Sequence, residues 1–176
     1  AMDTNATASR NTALGSFALR NFNSTAGNTY NTGVGYGAGS SITTGIQNTL
    51  VGGLAGDSIT TAVNNVAIGV GAAGAATTGG SNVAIGTSAL ATLTTGSTNV
   101  AIGQDSLYYS TTAVHNVAVG HNAMVANTTG NYNTALGSFA ADANTTGASN
   151  AALGYAALTT NSEGSNNTAI GEFSLG

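Results

Sequence analysis

Five side chains between residues 108 and 132 have the chemistry to bind a ligand, and they interrupt an otherwise regular sequence. They are Tyr108, Tyr109, His115, His121 and Tyr132. Tyrosine rings with asparagine and aspartate nearby can stack on sugar rings, because the ring is apolar and the hydroxyl is polar. For each ring alone, packing of a turn or of a seam between subunits is the better explanation. Together, the five form the predicted ligand-binding belt.

Catalytic and metal chemistry have weaker support in the sequence. His115 and His121 are the only histidines, with Asp105 and Asp142 as possible acidic neighbours. Their spacing matches no metal-binding motif, and neither a Ser/His/Asp arrangement nor a pair of catalytic carboxylates is visible. The chain also has no cysteine. We therefore expect no enzyme activity, no catalytic residue, no metal and no cofactor.

The charge of the chain argues against several classes of partner. Charged residues make up 5% of the 176 residues, against about 25% in an ordinary soluble domain. Arg10 and Arg20 are the only basic residues, and the net charge is −4. A nucleic-acid groove requires clustered Lys and Arg to neutralise phosphates, and an anionic membrane attracts the same residues. No apolar run approaches the ~18–20 residues of a membrane-spanning helix, so neither nucleic acid nor membrane insertion is expected.

A repeated pentapeptide, asparagine–x–small–aliphatic–glycine, runs through the chain and predicts its architecture. It begins at Asn11, recurs at Asn31, and from there keeps one constant spacing as far as Asn167. A short period kept over this length indicates one structural unit stacked on copies of itself. Equal positions then lie above one another, so the asparagines are expected to form an amide ladder. The central ladder residues are Asn65, Asn82, Asn99 and Asn116, with the aliphatic residues Ile68, Ile85 and Ile102 and the glycines Gly69, Gly86 and Gly103.

Each unit has room for one coil of a two-sheet parallel solenoid, with two strands of about five residues and two turns. In the sixth unit the residues alternate, so Val100 and Ile102 share one face while Asn99, Ala101 and Gly103 share the other. We expect the aliphatic face to fill the interior and the small, flat face to meet a neighbouring subunit. The glycine ends the strand, either because it needs a positive φ or because another backbone passes close by.

The chain is predicted to be all-β, with a single repeat domain of about ten seventeen-residue coils at residues 11–176 and a tag remnant or linker at residues 1–10. Glycine, asparagine and threonine are poor helix formers, so no helix is expected. The first interval, from Asn11 to Asn31, is longer than the others and places three extra residues near Arg20, Asn21 and Phe22. This predicts a longer loop at the N-terminal end.

Paired threonines recur in register and suggest an alternative activity. A regular threonine array on a flat solenoid face is typical of ice-binding proteins. The competing explanation is a turn before glycine, in which the hydroxyls bond to the local backbone. Adjacent residues in a strand also point to opposite sides, so the two threonines of a pair do not form two parallel rows of hydroxyls on one face. The pairs are Thr43–Thr44, Thr60–Thr61, Thr77–Thr78, Thr94–Thr95, Thr111–Thr112, Thr128–Thr129 and Thr145–Thr146.

The repeats resemble those of a known class of fibrous proteins. The units Asn65–Gly69, Asn82–Gly86 and Asn99–Gly103 resemble the head repeats of trimeric autotransporter adhesins. The longer phrase from Asn127 to Leu158 is similar to repeats of phage and bacterial tail fibres that end in a self-cleaving intramolecular chaperone. The resemblance implies a left-handed parallel β-roll in which three chains associate around the fibre axis. Adhesin heads use a somewhat shorter coil, so the tail-fibre repeats fit better.

The resemblance and the composition together lead to an expected function. We expect a tip or head segment of a homotrimeric fibre, outside the cell on a cell surface or on a virion, that attaches to a cell-surface glycan or another receptor. The first alternative is a structural shaft of such a fibre without a ligand. The second alternative is an ice-binding solenoid.

Overall fold

The chain folds as a parallel β-solenoid in the computed structural model, which describes residues 8–25 and 27–175. Ten strands of three residues form one sheet in chain order, each parallel to the next. No helix occurs among the described residues. Coils are numbered from their ladder asparagines, so that coil 1 begins at Asn11 and coil 10 at Asn167. The strands are β1 (Thr12–Leu14), β2 (Thr32–Val34), β3 (Thr49–Val51), β4 (Val66–Ile68), β5 (Val83–Ile85), β6 (Val100–Ile102), β7 (Val117–Val119), β8 (Thr134–Leu136), β9 (Ala151–Leu153) and β10 (Thr168–Ile170).

The pairing register confirms the all-β solenoid and its repeat length. Ala84 of β5 pairs with Ala101 of β6, one repeat later. Ala13 of β1 pairs with Gly33 of β2, across the longer first interval. The hydrogen bonds that link successive ladder asparagines span 17 residues in the regular part of the stack and 20 residues between the first two coils. Because the spacing of the asparagines equals the register of the strands, each repeat is one coil of the stack.

The extra residues of coil 1 do not lie where the sequence suggested. The backbone nitrogen of Asn23 donates to the carbonyl of Thr43 at 3.0 Å, and that of Thr43 donates to the carbonyl of Thr60, also at 3.0 Å. Thr43 and Thr60 are one ordinary repeat apart, whereas Asn23 and Thr43 are separated by the longer first interval. Residues up to Asn23 therefore align with coil 2, and the three additional residues follow Asn23. The loop predicted at Arg20 to Phe22 is wrong, since Phe22 is fully buried in the core.

The chain before coil 1 is described only in part. Residues 1–7 of the expected tag remnant or linker lie outside the described residues, as does Gly176. Ala8 is 7% exposed, and Ser9 forms a parallel bridge with Asn28. Residues 8–10 therefore pack against coil 1.

The side chains expected inside the solenoid lie outside, and those expected outside lie inside. The central residues of the strands point inward, and Ala84 and Ala101 are 0% exposed. The aliphatic residues point outward, with Ile68 at 38% and Ile102 at 36% exposed and Ile85 half-buried. The predicted aliphatic core is therefore wrong. Period-two alternation shows which residues share a face, but it does not show which face is inside.

The ladder asparagine decides which face is inside. Asn99 lies two residues before Ala101, so both side chains point to the same side of the chain, and both are 0% exposed. The asparagine amide needs several hydrogen-bond partners, and the backbone of the coil supplies them in the interior. The narrow interior then accepts alanine beside the amide, and the bulkier Ile102 faces outward.

Larger core side chains come from the segments that follow the strand. Leu107 and Met124 lie eight residues after their ladder asparagines and are fully buried. Where the strand itself supplies bulk, glycine makes room for it. A Cβ on Gly56 would lie 2.7 Å from Ile59 Cδ1 and 2.8 Å from Leu50 Cδ2. Core volume is therefore kept similar from coil to coil, as close packing requires.

The second strand expected in each coil does not form among the described residues. The chain instead makes successive turns, in which the backbone nitrogen of Ala72 donates to the Gly69 carbonyl at 3.4 Å and that of Gly74 to the Gly71 carbonyl at 3.2 Å. Gly71 has a φ of 66° and Ala73 a φ of 51°. Left-handed residues at alternate positions break the extended geometry of a strand. Ala73 still donates a hydrogen bond to the next coil at 2.9 Å, so the coils remain linked on this side.

The asparagines form a continuous buried ladder that joins the coils and closes each one. The Asn82 carbonyl oxygen Oδ1 accepts from the backbone nitrogen of Asn99 at 2.9 Å and from its Nδ2 at 3.1 Å. The same Nδ2 donates to the carbonyl of Ala113, on the far side of the same coil, at 2.8 Å. Asn116 repeats the pattern on Asn99 at 3.0 and 3.2 Å. Each side chain therefore satisfies buried backbone groups in two directions.

The glycine that follows each strand, from β1 to β9, has both properties that the sequence left open. Gly69 has a φ of 135°, in the left-handed half of backbone space that favours glycine. A Cβ at this position would also lie 2.5 Å from the carbonyl oxygen of Gly86 in the next coil. The corner therefore turns sharply while the coils stay in backbone contact.

We predict that Asn99→Leu lowers the free energy of unfolding by several kcal/mol. The substitution leaves the Asn116 backbone nitrogen and the Ala113 carbonyl without partners, at about 1–3 kcal/mol for each buried group. Thr95→Leu is the matched control in the preceding coil, because Thr95 is exposed. Denaturant unfolding followed by circular dichroism measures both. Equal stability of Asn99→Leu and the parent would contradict the role of the ladder.

Candidate functional site

Tyr108 and Tyr109 form one wall of a shallow concavity on coils 6 and 7. Their ring centroids are 4.7 Å apart at an interplanar angle of 73°, so one edge meets the other face. Tyr109 is 56% exposed and Tyr108 is half-buried. The concavity has a volume of about 240 Å³ and is completed by Asp105, Asn122 and Val125. A carboxylate, an amide and an aromatic wall therefore meet at one place.

Coil stacking brings the polar members of this concavity together. Asp105 and Asn122 occupy the same position in consecutive coils, one repeat apart. The backbone nitrogen of Asn122 donates to the Gln104 carbonyl at 3.0 Å. Both residues have left-handed backbones, with φ values of 55°, which aspartate and asparagine adopt more readily than most residues. Gln104 Nε2 donates to Asp105 Oδ2 at 3.0 Å and holds one carboxylate oxygen.

His115 and Tyr132 form a separate pair on the same two coils. Their ring centroids are 5.1 Å apart and the planes differ by 6°, so the rings are stacked. Both side chains are exposed, and Tyr132 is 62% exposed. Each precedes a ladder asparagine, Asn116 or Asn133. Rings in register on neighbouring coils therefore stack as a direct result of the repeat.

His121 begins a third aromatic group, which runs along the corner after the strand. Its ring meets Phe139 at 5.2 Å, Phe139 meets Tyr155 at 5.9 Å, and Tyr155 meets Phe173 at 5.4 Å, all nearly edge to face. Tyr155 and Phe173 are 48% and 63% exposed. We call His121, Phe139, Tyr155 and Phe173 the corner column. A shorter pair, Phe17 and Tyr36, occupies the same corner near the N-terminal end, at 5.6 Å.

The structure separates the five residues of the predicted belt into three groups. Tyr108 contacts Tyr109, His115 contacts Tyr132, and His121 contacts Phe139. No ring contact joins one group to another within the described chain. Sequence reasoning missed Phe139 and Phe173, because they lie two positions after the corner glycine, whereas Tyr155 lies one position after it. A search for aromatic residues at either position would have found the column.

The outward face of the sheet is uncharged along its whole length. It consists of two columns, the first and third residues of each strand, and all of these are threonine, alanine, valine, isoleucine or leucine. Contiguous exposed apolar surfaces of this kind mark contacts with other molecules. The most exposed members of the aliphatic column are Leu14, Ile68, Ile102, Leu136, Leu153 and Ile170.

In each threonine pair, the first hydroxyl is hydrogen-bonded to the next coil and the second threonine is exposed to solvent. Thr94 Oγ1 donates to the Thr111 carbonyl at 3.0 Å, and Thr111 Oγ1 donates to the Thr128 carbonyl at 3.3 Å. The first hydroxyl of each pair is therefore engaged in linking coils. The second threonines, such as Thr95 and Thr112, are exposed. Only one rank of hydroxyls consequently faces solvent.

Residues 8–25 and 27–175 contain no group of three or more His, Cys, Asp or Glu side chains that could hold a metal ion. Within the same part of the chain, no helix is long and apolar enough to cross a membrane. No protein-family model, curated protein or solved structure matches the chain. What the protein does must therefore be inferred from its exposed side chains and their chemistry.

Two aspartates carry a cost of burial. Desolvation raises the pKa of Asp142 above its ordinary value, against the opposing effect of hydrogen bonds from the backbone of Ala143 and of Asp142 itself. Asp142 Oδ1 is buried and makes no hydrogen bond. Desolvation raises the pKa of Asp57 in the same way. A carboxyl whose pKa is higher in the folded chain than in the unfolded chain is more stable in the fold when it is protonated. The folded state therefore loses stability as the pH rises from the unfolded pKa through the folded pKa.

We predict that Asp142→Asn raises the melting temperature at pH 7, because it removes a poorly solvated charge. The difference from the parent should vanish below about pH 3.9, where the carboxyl is protonated in both the folded and the unfolded chain. Thermal melts across this pH range provide the measurement. Glu163→Gln is the control, since Glu163 is exposed and the change in net charge is the same. A melting temperature of Asp142→Asn below that of the parent at pH 7 would contradict the prediction.

Proposed function

We propose that this chain is an adhesive segment, a tip or head, of a homotrimeric fibre on a cell surface or a virion, and that it attaches to a cell-surface glycan or another receptor. The observation that carries the proposal is the uncharged outward face of the ten-stranded sheet, lying beside exposed aromatic groups. The repeats resemble those of trimeric adhesin heads and tail fibres, in which the coil is left-handed. A stack of equal coils offers a rigid scaffold for such a role.

Association of three copies accounts for the outward aliphatic column. Ile68 and Ile102 are more than a third exposed in a single chain, and burying this remaining third stabilises by about 0.5–1 kcal/mol each, a third of the value for a whole side chain. The column repeats at ~4.8 Å per coil, so copies of the same chain present matching surfaces. The corner column, which follows the same strands, is suited to the seam between subunits.

Attachment to a glycan accounts for the aromatic groups away from the sheet. Tyr109 and Tyr132 are 56% and 62% exposed, and such rings are favoured where an apolar face meets a polar partner. Three copies would present each group three times, so that weak single-site binding becomes useful avidity. The two basic residues of the chain leave little basis for electrostatic attraction to an anionic partner.

Two other functions have some support. A shaft without a ligand would use the stacked rings only for packing, as the edge-to-face corner column allows. An ice-binding solenoid would use the exposed second threonines, such as Thr95 and Thr112. The engagement of the first threonines in backbone hydrogen bonds leaves a single rank, which disfavours ice binding.

We predict an elongated trimer for the parent chain, measured by light scattering coupled to size exclusion. Ile85→Asp/Ile102→Asp should give a folded monomer, because it places charges on the outward face and leaves the interior intact. Thr95→Asp/Thr112→Asp adds the same charge on the exposed threonine rank and should remain trimeric. A monomeric parent at micromolar concentration would exclude the fibre proposal.

We also predict that attachment to cells or immobilised glycans depends little on salt. Between about 0.05 and 0.5 M NaCl the bound fraction should change by less than about twofold, because screening acts on charge pairs that this chain scarcely has. Fluorescently labelled protein and flow cytometry provide the measurement. A loss of about tenfold or more would indicate an electrostatic partner instead. Absence of binding to any glycan or cell would favour the shaft.

A further inference from the structure

We propose that the concavity on coils 6 and 7 binds one neutral sugar ring that presents neighbouring hydroxyl groups; this rests on the adhesive function proposed above. The sugar site consists of Asp105, Tyr108, Tyr109, Asn122 and Val125. Its volume of about 240 Å³ is below the about 300–1,000 Å³ of pockets for drug-sized ligands. The size therefore suits a single ring at the end of a chain.

The sugar site offers unused hydrogen-bonding groups at one edge. Asp105 Oδ2 accepts from Gln104 Nε2 at 3.0 Å, while no described residue bonds to Asp105 Oδ1 or to the side-chain amide of Asn122. A carboxylate oxygen accepts from hydroxyl groups, and an amide both donates and accepts. Two adjacent sugar hydroxyls, each a donor and an acceptor, match this pair of groups.

The aromatic wall supplies the apolar contact that a sugar ring requires. Tyr109 is 56% exposed, and Tyr108 supports it edge to face at 4.7 Å. This contact limits the freedom of the Tyr109 side chain before a ligand arrives, which reduces the entropic cost of binding. The C–H groups of one sugar face can then pack on the ring while its hydroxyls reach Asp105.

The repeat itself marks this place as different from the rest of the rod. At the positions of Tyr108 and Tyr109, the neighbouring coils have Ala91 and Thr92 on one side and Val125 and Ala126 on the other. The tyrosines therefore stand above small side chains, which leaves room for a ligand.

The corner beside the sugar site belongs to a stretch, coils 3 to 6, in which neither corner position is aromatic. In coils 7 to 10 it contains the aromatic corner column, and near the N-terminal end it contains Phe17 and Tyr36. In coil 6 the two corner positions are Gln104 and Asp105. If the aromatic parts of the corner meet another subunit, the sugar site lies at the edge of that contact, because Asn122 directly follows His121.

Charge restricts the class of sugar. Asp105 is the only ionisable carboxylate in the sugar site, and no basic residue belongs to it. A sialylated or sulfated sugar would place like charges together, which disfavours binding. The proposed hydrogen bonds join the sugar hydroxyls directly to Asp105 and Asn122, so binding should not require calcium.

The test uses the intact protein on an array of neutral hexose-terminated oligosaccharides, with sialylated and sulfated counterparts. Binding of the parent should favour the neutral set and persist in EDTA. Tyr109→Ala should weaken it by at least about tenfold, the equivalent of 1.4 kcal/mol. Asp105→Asn, which keeps a residue tolerant of the left-handed backbone, should reduce discrimination against the sialylated set. Tyr30→Ala removes an exposed ring near the N-terminal end, outside the sugar site and outside the predicted belt, and is the control, expected to bind as the parent does.

The outcomes separate this inference from the function on which it rests. Glycan binding that Tyr109→Ala and Asp105→Asn leave unchanged would overturn the sugar site and leave the adhesive function standing. Equal losses in Tyr109→Ala and Tyr30→Ala would also overturn it, as would loss of binding in EDTA. No glycan binding by the parent would remove the glycan form of the adhesive function and the sugar site together. Circular dichroism of each variant ensures that a loss reflects the site rather than the fold.

Discussion

A narrow solenoid must satisfy the backbone groups that it buries, and the asparagine ladder is the interaction that does so here. Each coil turns sharply between its strand and the segments that follow, so carbonyl and N–H groups at these turns point into the interior. An amide side chain has the donors and the acceptor needed to bond the coil before it and the far side of its own coil. The Nδ2 of Asn99 does both, donating to Asn82 Oδ1 and to the Ala113 carbonyl. Because an unmet buried group costs about 1–3 kcal/mol, the position tolerates few alternatives.

Most other features of the coil follow from placing that amide inside. The alanine two residues later shares its side of the strand, and it is small enough to lie beside the amide. The valine and isoleucine residues alternate with this alanine along the strand and therefore face outward. Ile68 and Ile102 are more than a third exposed. The ladder thus explains both the thin core of the single chain and the apolar surface that a further subunit would cover. In coils 7 to 9 the same solution appears a second time: Asn144 donates to Asn127 at 2.9 Å, in a column that contains Ile42 and Ile59 in earlier coils.

The sequence was sufficient to predict the coil length, the stack of parallel strands and the absence of helix, because so short and constant a period leaves little choice of architecture. The sequence was insufficient wherever the same residue pattern is compatible with two different three-dimensional arrangements. Alternation in β6 could not tell inside from outside, and alanine and leucine residues such as Ala73 and Leu107, with φ values of 51°, gave no hint of a left-handed backbone. For the candidate site, the sequence singled out the tyrosine pair as a break in the repeat, and the pair lines a concavity in the structure. It could not show that Asp105 and Asn122 complete the concavity, or that His115 and His121 belong to other groups, because those facts depend on the direction of each side chain around the coil.

The roles of the positions within a coil support the place proposed for the sugar site. The ladder asparagine, the central residue of the strand, the corner glycine and the first threonine pack against or bond to neighbouring coils with the whole residue, so a new side chain there would disturb the stack. The position of Tyr109 makes its hydrogen bond to the next coil through the backbone alone, at 3.1 Å to Val125. Its side chain is therefore free to vary, and threonine and alanine occupy it in the adjoining coils. Under the proposed function, a rod built this way would change its ligand through two or three side chains at such positions, while the ladder that holds the coils together remains the same.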